Sequence, residues 1–198
     1  MSLAQYLKCF SRLRTYKDRK KWSAMTAYQA PHKPFLLLSV MGLIVQGTIT
    51  QNFIEPSFEL LDTFNTYWNS VMPLDSKTSM AYPFPRLKTD GFWHLIPNPG
   101  FENQIDINFS SMTKLREVCA GARMDDELFQ LMFNPETREQ LGAVLIKTLN
   151  DRKHNRDNFL KALRIGFYFK RVVRFINWLK IKYDNVFFSI LFTRWESR

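Results

Sequence analysis

Residues 30–47 read Ala30-Pro31-His32-Lys33-Pro34-Phe35-Leu36-Leu37-Leu38-Ser39-Val40-Met41-Gly42-Leu43-Ile44-Val45-Gln46-Gly47. From Phe35 to Val45 nearly every position is apolar, the start is poor in β-branched residues, and Gly47 stands where a helix places its left-handed C-terminal cap. The stretch predicts a central, buried helix. Such a helix needs other elements to cover it, and a chain of 198 residues supplies one substantial domain plus an appendage.

Towards the N-terminus, apolar residues at 3, 6, 7, 10 and 13 predict a helix over Leu3–Leu13, followed by the cationic loop Lys17-Asp18-Arg19-Lys20-Lys21-Trp22. On the other side, Thr48-Ile49-Thr50 suggests a short strand. Beyond Pro56 the spacing of Phe58, Leu61, Phe64, Tyr67, Trp68 and Val71 predicts a helix over 57–71 with those residues on its inner face. Between Tyr82 and Ile96 the period changes around Lys88-Thr89-Asp90-Gly91, and Asp-Gly there predicts a β-hairpin. Asn98-Pro99-Gly100 reads as a turn and Met112–Val118 as a short helix. Asp125-Asp126-Glu127 opens a helix with acids at its positive end, and Pro135-Glu136 opens another running through Leu145. The expected class is α+β: a mainly helical single domain, 1–149, with a small antiparallel hairpin and the flavour of a winged helix. Near Asn150 the composition breaks, and 150–198 is expected to form a basic, aromatic-rich helical extension.

With 45% hydrophobic and 23% charged residues the chain is expected to fold rather than remain disordered. No stretch approaches twenty uncharged apolar residues, and no secretory signal is evident. With Cys9 and Cys119 the only cysteines, a reducing cytoplasm is the expected setting. The net charge of +10 is unevenly spread. Residues 1–33 carry 8 Lys/Arg against 1 acid, residues 34–150 carry 8 against 13, and residues 151–198 carry 12 against 4. Two basic segments with interleaved aromatics point towards nucleic acid, with a membrane-surface helix as the rival for the second.

Two segments carry candidate chemistry. His32 and Lys33 stand at the start of the apolar helix, where unpaired amides favour an anion. Either the two prolines only shape a loop, or His32 and Lys33 hold a phosphate while Tyr28 and Gln29 reach sugar or base atoms. Tyr82-Pro83-Phe84-Pro85-Arg86-Leu87 is stiffened by its prolines. It is either an edge strand with packed aromatics or a rigid apolar cup beside a cation, and such a cup offers a phosphate oxygen no hydrogen bond in return for its lost water. Enzyme signatures are scarce. His32, His94 and His154 lack metal-ligand spacing, the cysteines form no zinc motif, and His154-Asn155 echoes an HNH motif without its second histidine. A binding module without metal or cofactor is expected, and oligomeric state is left open.

Taken together, Tyr6–Arg14, residues 30–38, Asn52-Phe53-Ile54-Glu55-Pro56, Tyr82-Pro83-Phe84 with Arg86-Leu87, Asp90-Gly91-Phe92-Trp93, and Gly121-Ala122-Arg123 before Asp125–Met132 form an ordered set of motifs. Over roughly the first 148 residues this set resembles the sulfur-binding domain of modification-dependent HNH restriction endonucleases. The resemblance implies recognition of double-stranded DNA bearing a phosphorothioate, a sulfur replacing one non-bridging phosphate oxygen, within a bacterial restriction system. It implies an apolar cup at Tyr82, Pro83 and Phe84, with His32, Lys33 and Arg86 around the modified phosphate, and Tyr28, Gln29 and Ser110 towards the bases. Family members usually continue into an HNH nuclease domain, whereas this chain runs into a basic tail that matches nothing familiar, which leaves three readings open: a stand-alone reader, a truncated or frame-shifted relative, or a partner of an HNH domain in another chain. The alternatives are a nuclease with an unrecognised metal site and a reader of another mark, such as a methylated base.

Overall fold

The computed structural model describes residues 1–22, 26–73, 75–104, 108–109 and 111–149. The expected extension at 150–198 and the candidate Ser110 lie outside the described residues.

The element order is α1 (Leu3–Ser11), α2 (His32–Val45), α3 (Phe58–Val71), α4 (Pro83–Arg86), β1 (Trp93–Pro97), α5 (Met112–Val118), β2 (Cys119–Met124), α6 (Asp126–Phe133) and α7 (Pro135–Leu149). This is a small α+β domain. Helix α2 is the centre, with every residue from Lys33 to Ile44 buried, as a helix apolar on all faces must be. Helices α3, α4, α6 and α7 pack around it, and α1 lies against α6 and α7. Ser2 caps α1 through a reciprocal pair, its hydroxyl accepting from the Gln5 amide at 3.4 Å while the Gln5 side chain accepts from its own amide at 2.7 Å. Among the described residues no helix is long and apolar enough to cross a membrane.

The end of α2 explains why 48–50 is not a strand. Gly47 turns left-handed at φ 69°, and the amides of Thr48 and Ile49 both return to the Leu43 carbonyl, at 2.9 and 3.2 Å. These donors satisfy the end of the helix and are lost to any ladder. The inner face of α3 is also rotated from the sequence reading. Leu60 and Thr63 point inward with Phe64, Tyr67, Trp68 and Val71, while Phe58 is 72% exposed.

The hairpin expected over 82–96 is absent. Residues 83–86 form one helical turn, 87–90 continue it as a 3-10 turn, and Gly91 closes it at φ 88°. A proline in the first turn of a helix forfeits no hydrogen bond, so Pro83 suits this turn better than a ladder. Asp90-Gly91 is therefore a helix stop, and left-handed glycine serves either role. The sheet forms instead between β1 and β2, antiparallel, with Trp93 opposite Met124 and Leu95 opposite Ala122. Strand β2 has no counterpart in the sequence reading. Its Gly121 is required by crowding, because a Cβ there would stand 2.8 Å from the Phe53 ring and 2.9 Å from the Ile54 carbonyl oxygen, where Ile54 and Ala122 exchange backbone hydrogen bonds.

Candidate functional site

Three parts of the chain meet at the start of α2: the segments 12–22 and 26–30, the first turn of α2, and the turn α4. Pro31 caps α2 without a side-chain hydrogen bond, and Pro34 has no N–H, so His32 and Lys33 carry the helix-start amides. The loop returns to this point through backbone hydrogen bonds, Asp18 N–H to Tyr28 at 3.1 Å and Ala30 N–H to Tyr16 at 2.8 Å. The tight return forces Ala27 and Tyr28 into left-handed backbone, at φ 51° and 58°, a conformation uncommon for residues with a Cβ.

His32 sits between two tryptophans, its ring centre 5.5 Å from Trp22 edge-on and 4.7 Å from Trp68. Burial pushes its pKa down to about 4, and the positive charges of Lys21 and Arg86 push the same way. At neutral pH it is an uncharged imidazole offering one donor and one acceptor. The unfolded imidazole titrates near 6.5, so below that pH the unfolded chain takes a proton that native His32 refuses. The stability due to neutral burial is therefore complete above pH 6.5 and lost as the pH falls towards 4, by at most on the order of 3 kcal/mol. Urea midpoints at pH 7 and 4.5 should show this slope in the unaltered protein. His32→Gln should flatten it, and equal slopes in both would remove His32 as its source.

The neighbouring candidates are committed to the fold. Lys33 is buried, its Nζ 2.6 Å from Asp90 Oδ2 and donating also to Thr89 Oγ1 at 3.1 Å. Burial lowers its pKa against the upward pull of Asp90. Its charge is paired within the protein. Gln29 is used at both ends of its amide, donating to the Thr148 carbonyl at 2.6 Å and accepting from Thr15 Oγ1 at 2.9 Å. Phe84 is fully buried, with its ring 5.3 Å from Trp93, and Pro83 is buried beside it. Tyr28 is half-buried with the Arg19 guanidinium over its ring at 5.2 Å.

The groups that do face solvent are Tyr82 and Arg86. Tyr82 is 42% exposed, and the Arg86 guanidinium lies 5.6 Å from its ring centre. Arg86 Nη1 donates to the Tyr82 carbonyl at 3.2 Å and Nη2 to Asn108 Oδ1 at 3.0 Å. A guanidinium has five N–H groups, so these two bonds orient it and leave donors for an incoming anion.

Sequence reasoning missed several residues at this place. Trp22 and Trp68, which hold His32, are 46 positions apart; Trp22 was read as the end of the cationic loop and Trp68 as part of the inner face of its helix. The loop cations were read as a charged run without assigned roles. Elsewhere, Asp125 ties three elements together, accepting from the Tyr6 hydroxyl at 2.8 Å and meeting His94 Nε2 at 2.7 Å. Burial and that carboxylate raise the Tyr6 phenol above its ordinary range. His94 lines a cleft of about 430 Å³ with Lys88, Thr89, Trp93 and Leu95. Compared with protein-family models and with curated proteins, the chain matches none.

Proposed function

We propose that this protein binds double-stranded DNA and reads a phosphorothioate linkage in it, as a recognition module of a restriction or defence system, without cutting. The observation that carries the reading is the exposed Tyr82 ring with the Arg86 guanidinium oriented over it, on a turn stiffened by two prolines. Sulfur is larger and more polarisable than oxygen, and a weaker hydrogen-bond acceptor, so it loses less on leaving water for an apolar surface. The ring discriminates by making oxygen costly, and the cation supplies affinity for either backbone. Neutral His32 adds a hydrogen bond rather than a charge. The fixed positions of Lys33, Gln29 and Phe84 make them supports of this surface.

Competition between duplexes differing by one sulfur tests the proposal. The unaltered protein should prefer the sulfur-bearing duplex. Arg86→Ala should weaken both duplexes by about 1.5–3 kcal/mol, the cost of a hydrogen bond to a charged group, and change their ratio little. Equal binding of the two duplexes overturns the reading. Nicking with Mg²⁺, Mn²⁺ or Ni²⁺ would make the protein a nuclease, and preference for a methylated base would make it the reader of another mark.

A further inference from the structure

Asn108 joins Tyr82 and Arg86 from a separate part of the chain, 22 positions beyond Arg86. Its neighbour Phe109 is buried in the core and anchors the backbone there, while Asn108 itself is exposed. Asn108 Oδ1 accepts from Arg86 Nη2 at 3.0 Å. A guanidinium only donates, so the amide oxygen is the atom that must face it. The two N–H groups on Nδ2 then have no acceptor among the described residues.

Arg86 is thus flanked by two unlike groups. Nη1 is tied to the Tyr82 carbonyl at 3.2 Å, with the guanidinium 5.6 Å from the centre of the Tyr82 ring, and Nη2 is tied to Asn108. Of the five guanidinium N–H groups these bonds use two, which leaves three for an anion. A phosphate held by those three has two non-bridging atoms to place. The ring penalises a strong acceptor that has given up its water, whereas the amide N–H rewards one. One sulfur and one oxygen satisfy both groups. Two oxygens leave one of them against the ring, and two sulfurs leave a weak acceptor against the amide. A base is a poorer ligand for Asn108, because asparagine reads adenine through Oδ1 and Nδ2 together, and here Oδ1 is occupied.

We propose that Asn108 donates through Nδ2 to the non-bridging oxygen that remains on a phosphorothioate, so that the site reads one sulfur and one oxygen on the same phosphorus. This rests on the phosphorothioate reading and assigns the oxygen half of the recognition to a residue outside the turn α4.

The test uses the full chain and three duplexes that differ at a single linkage: plain phosphate, phosphorothioate and phosphorodithioate. All three carry the same charge, so counterion release is common to them. The unaltered protein should bind the phosphorothioate best, and the second sulfur should weaken binding about two- to tenfold, the worth of an ordinary hydrogen bond. Asn108→Asp keeps an acceptor for Arg86 and removes the donor, so it should abolish the preference for one sulfur over two while repelling all three duplexes alike. Asn108→Ala should abolish the same preference without the added charge. Circular dichroism checks that both variants are folded. A phosphorodithioate bound as tightly as the phosphorothioate by the unaltered protein overturns the proposal. So does either folded variant that keeps the preference, since Asn108 then only positions Arg86. The comparison of phosphorothioate with plain duplex reports on the Tyr82 ring instead: equal binding of those two, with the second sulfur still costly, removes the sulfur reading and leaves Asn108 as a donor to the backbone oxygen.

Discussion

Lys33→Ala is expected to lower the unfolding free energy by about 3–5 kcal/mol, the range for removing one partner of a buried ion pair. The cost arises from what remains. The Asp90 side chain is 4% exposed, and without Lys33 its carboxylate is left with the Arg14 amide, which donates to it at 2.9 Å. For a domain of this size each kcal/mol moves the melting temperature by about 2–4 °C, so thermal unfolding followed by circular dichroism reads the effect directly. A double variant, Lys33→Met with Asp90→Asn, should recover much of the loss, because neither side then carries a buried charge while Asn still accepts from Arg14. If Lys33→Ala costs under about 1 kcal/mol, well below the range for a buried pair, the pair is not structural and Lys33 is released to act on a ligand. Any loss of DNA binding by Lys33→Ala at a temperature where the variant is partly unfolded reports the fold rather than a direct interaction.

The second large contrast lies within a single helical turn. Phe84→Ala should cost about 3–5 kcal/mol of stability, as truncation of a fully buried aromatic does, because its ring fills the space against Trp93. Tyr82→Ser, two residues away on the exposed side, should stay within about 0.5 kcal/mol. The functional effects run the other way. Tyr82→Ser replaces the apolar surface with a hydroxyl that satisfies oxygen as well as sulfur, so it should collapse the ratio of sulfur-bearing to plain DNA affinity while leaving the fold intact. A folded Tyr82→Ser protein that keeps its sulfur preference moves the recognition surface elsewhere. A Phe84→Ala protein of unchanged stability contradicts the packing of this turn.

Much of the helical framework was legible because its signals are local. The apolar run before Gly47, Pro56 ahead of α3 and the acids at the start of α6 each fix a boundary within a few residues. The sheet was not legible for a physical reason. Strand β2 reads Cys119-Ala120-Gly121-Ala122-Arg123-Met124, a composition with little strand preference, and its partner lies more than twenty positions earlier. The strand exists because Phe53 and Ile54 press against Gly121, a constraint that no window of sequence contains. At the candidate site, Tyr82, Arg86 and His32 were singled out from residue type and from proline and helix-start chemistry, and the fold leaves Tyr82 and Arg86 exposed. Exposure and internal partners were not readable: the same reading named Lys33, Gln29 and Phe84 as ligand groups, and in the fold these have long-range partners at Asp90, Thr148 and Trp93.

The packing of α1 against α7 has a kinetic side. These helices are separated by more than 120 residues, so their contact closes nearly the whole described chain into one loop. Closure entropy grows only slowly with loop length, and the thermodynamic penalty for this arrangement is mild. The order of events is affected more. During synthesis α1 emerges first and waits, its Tyr6 and Phe10 without their final cover, until α6 and α7 have left the ribosome. The central helix α2 waits with it, and for that interval the most apolar segment of the nascent chain is the one most in need of protection from other chains.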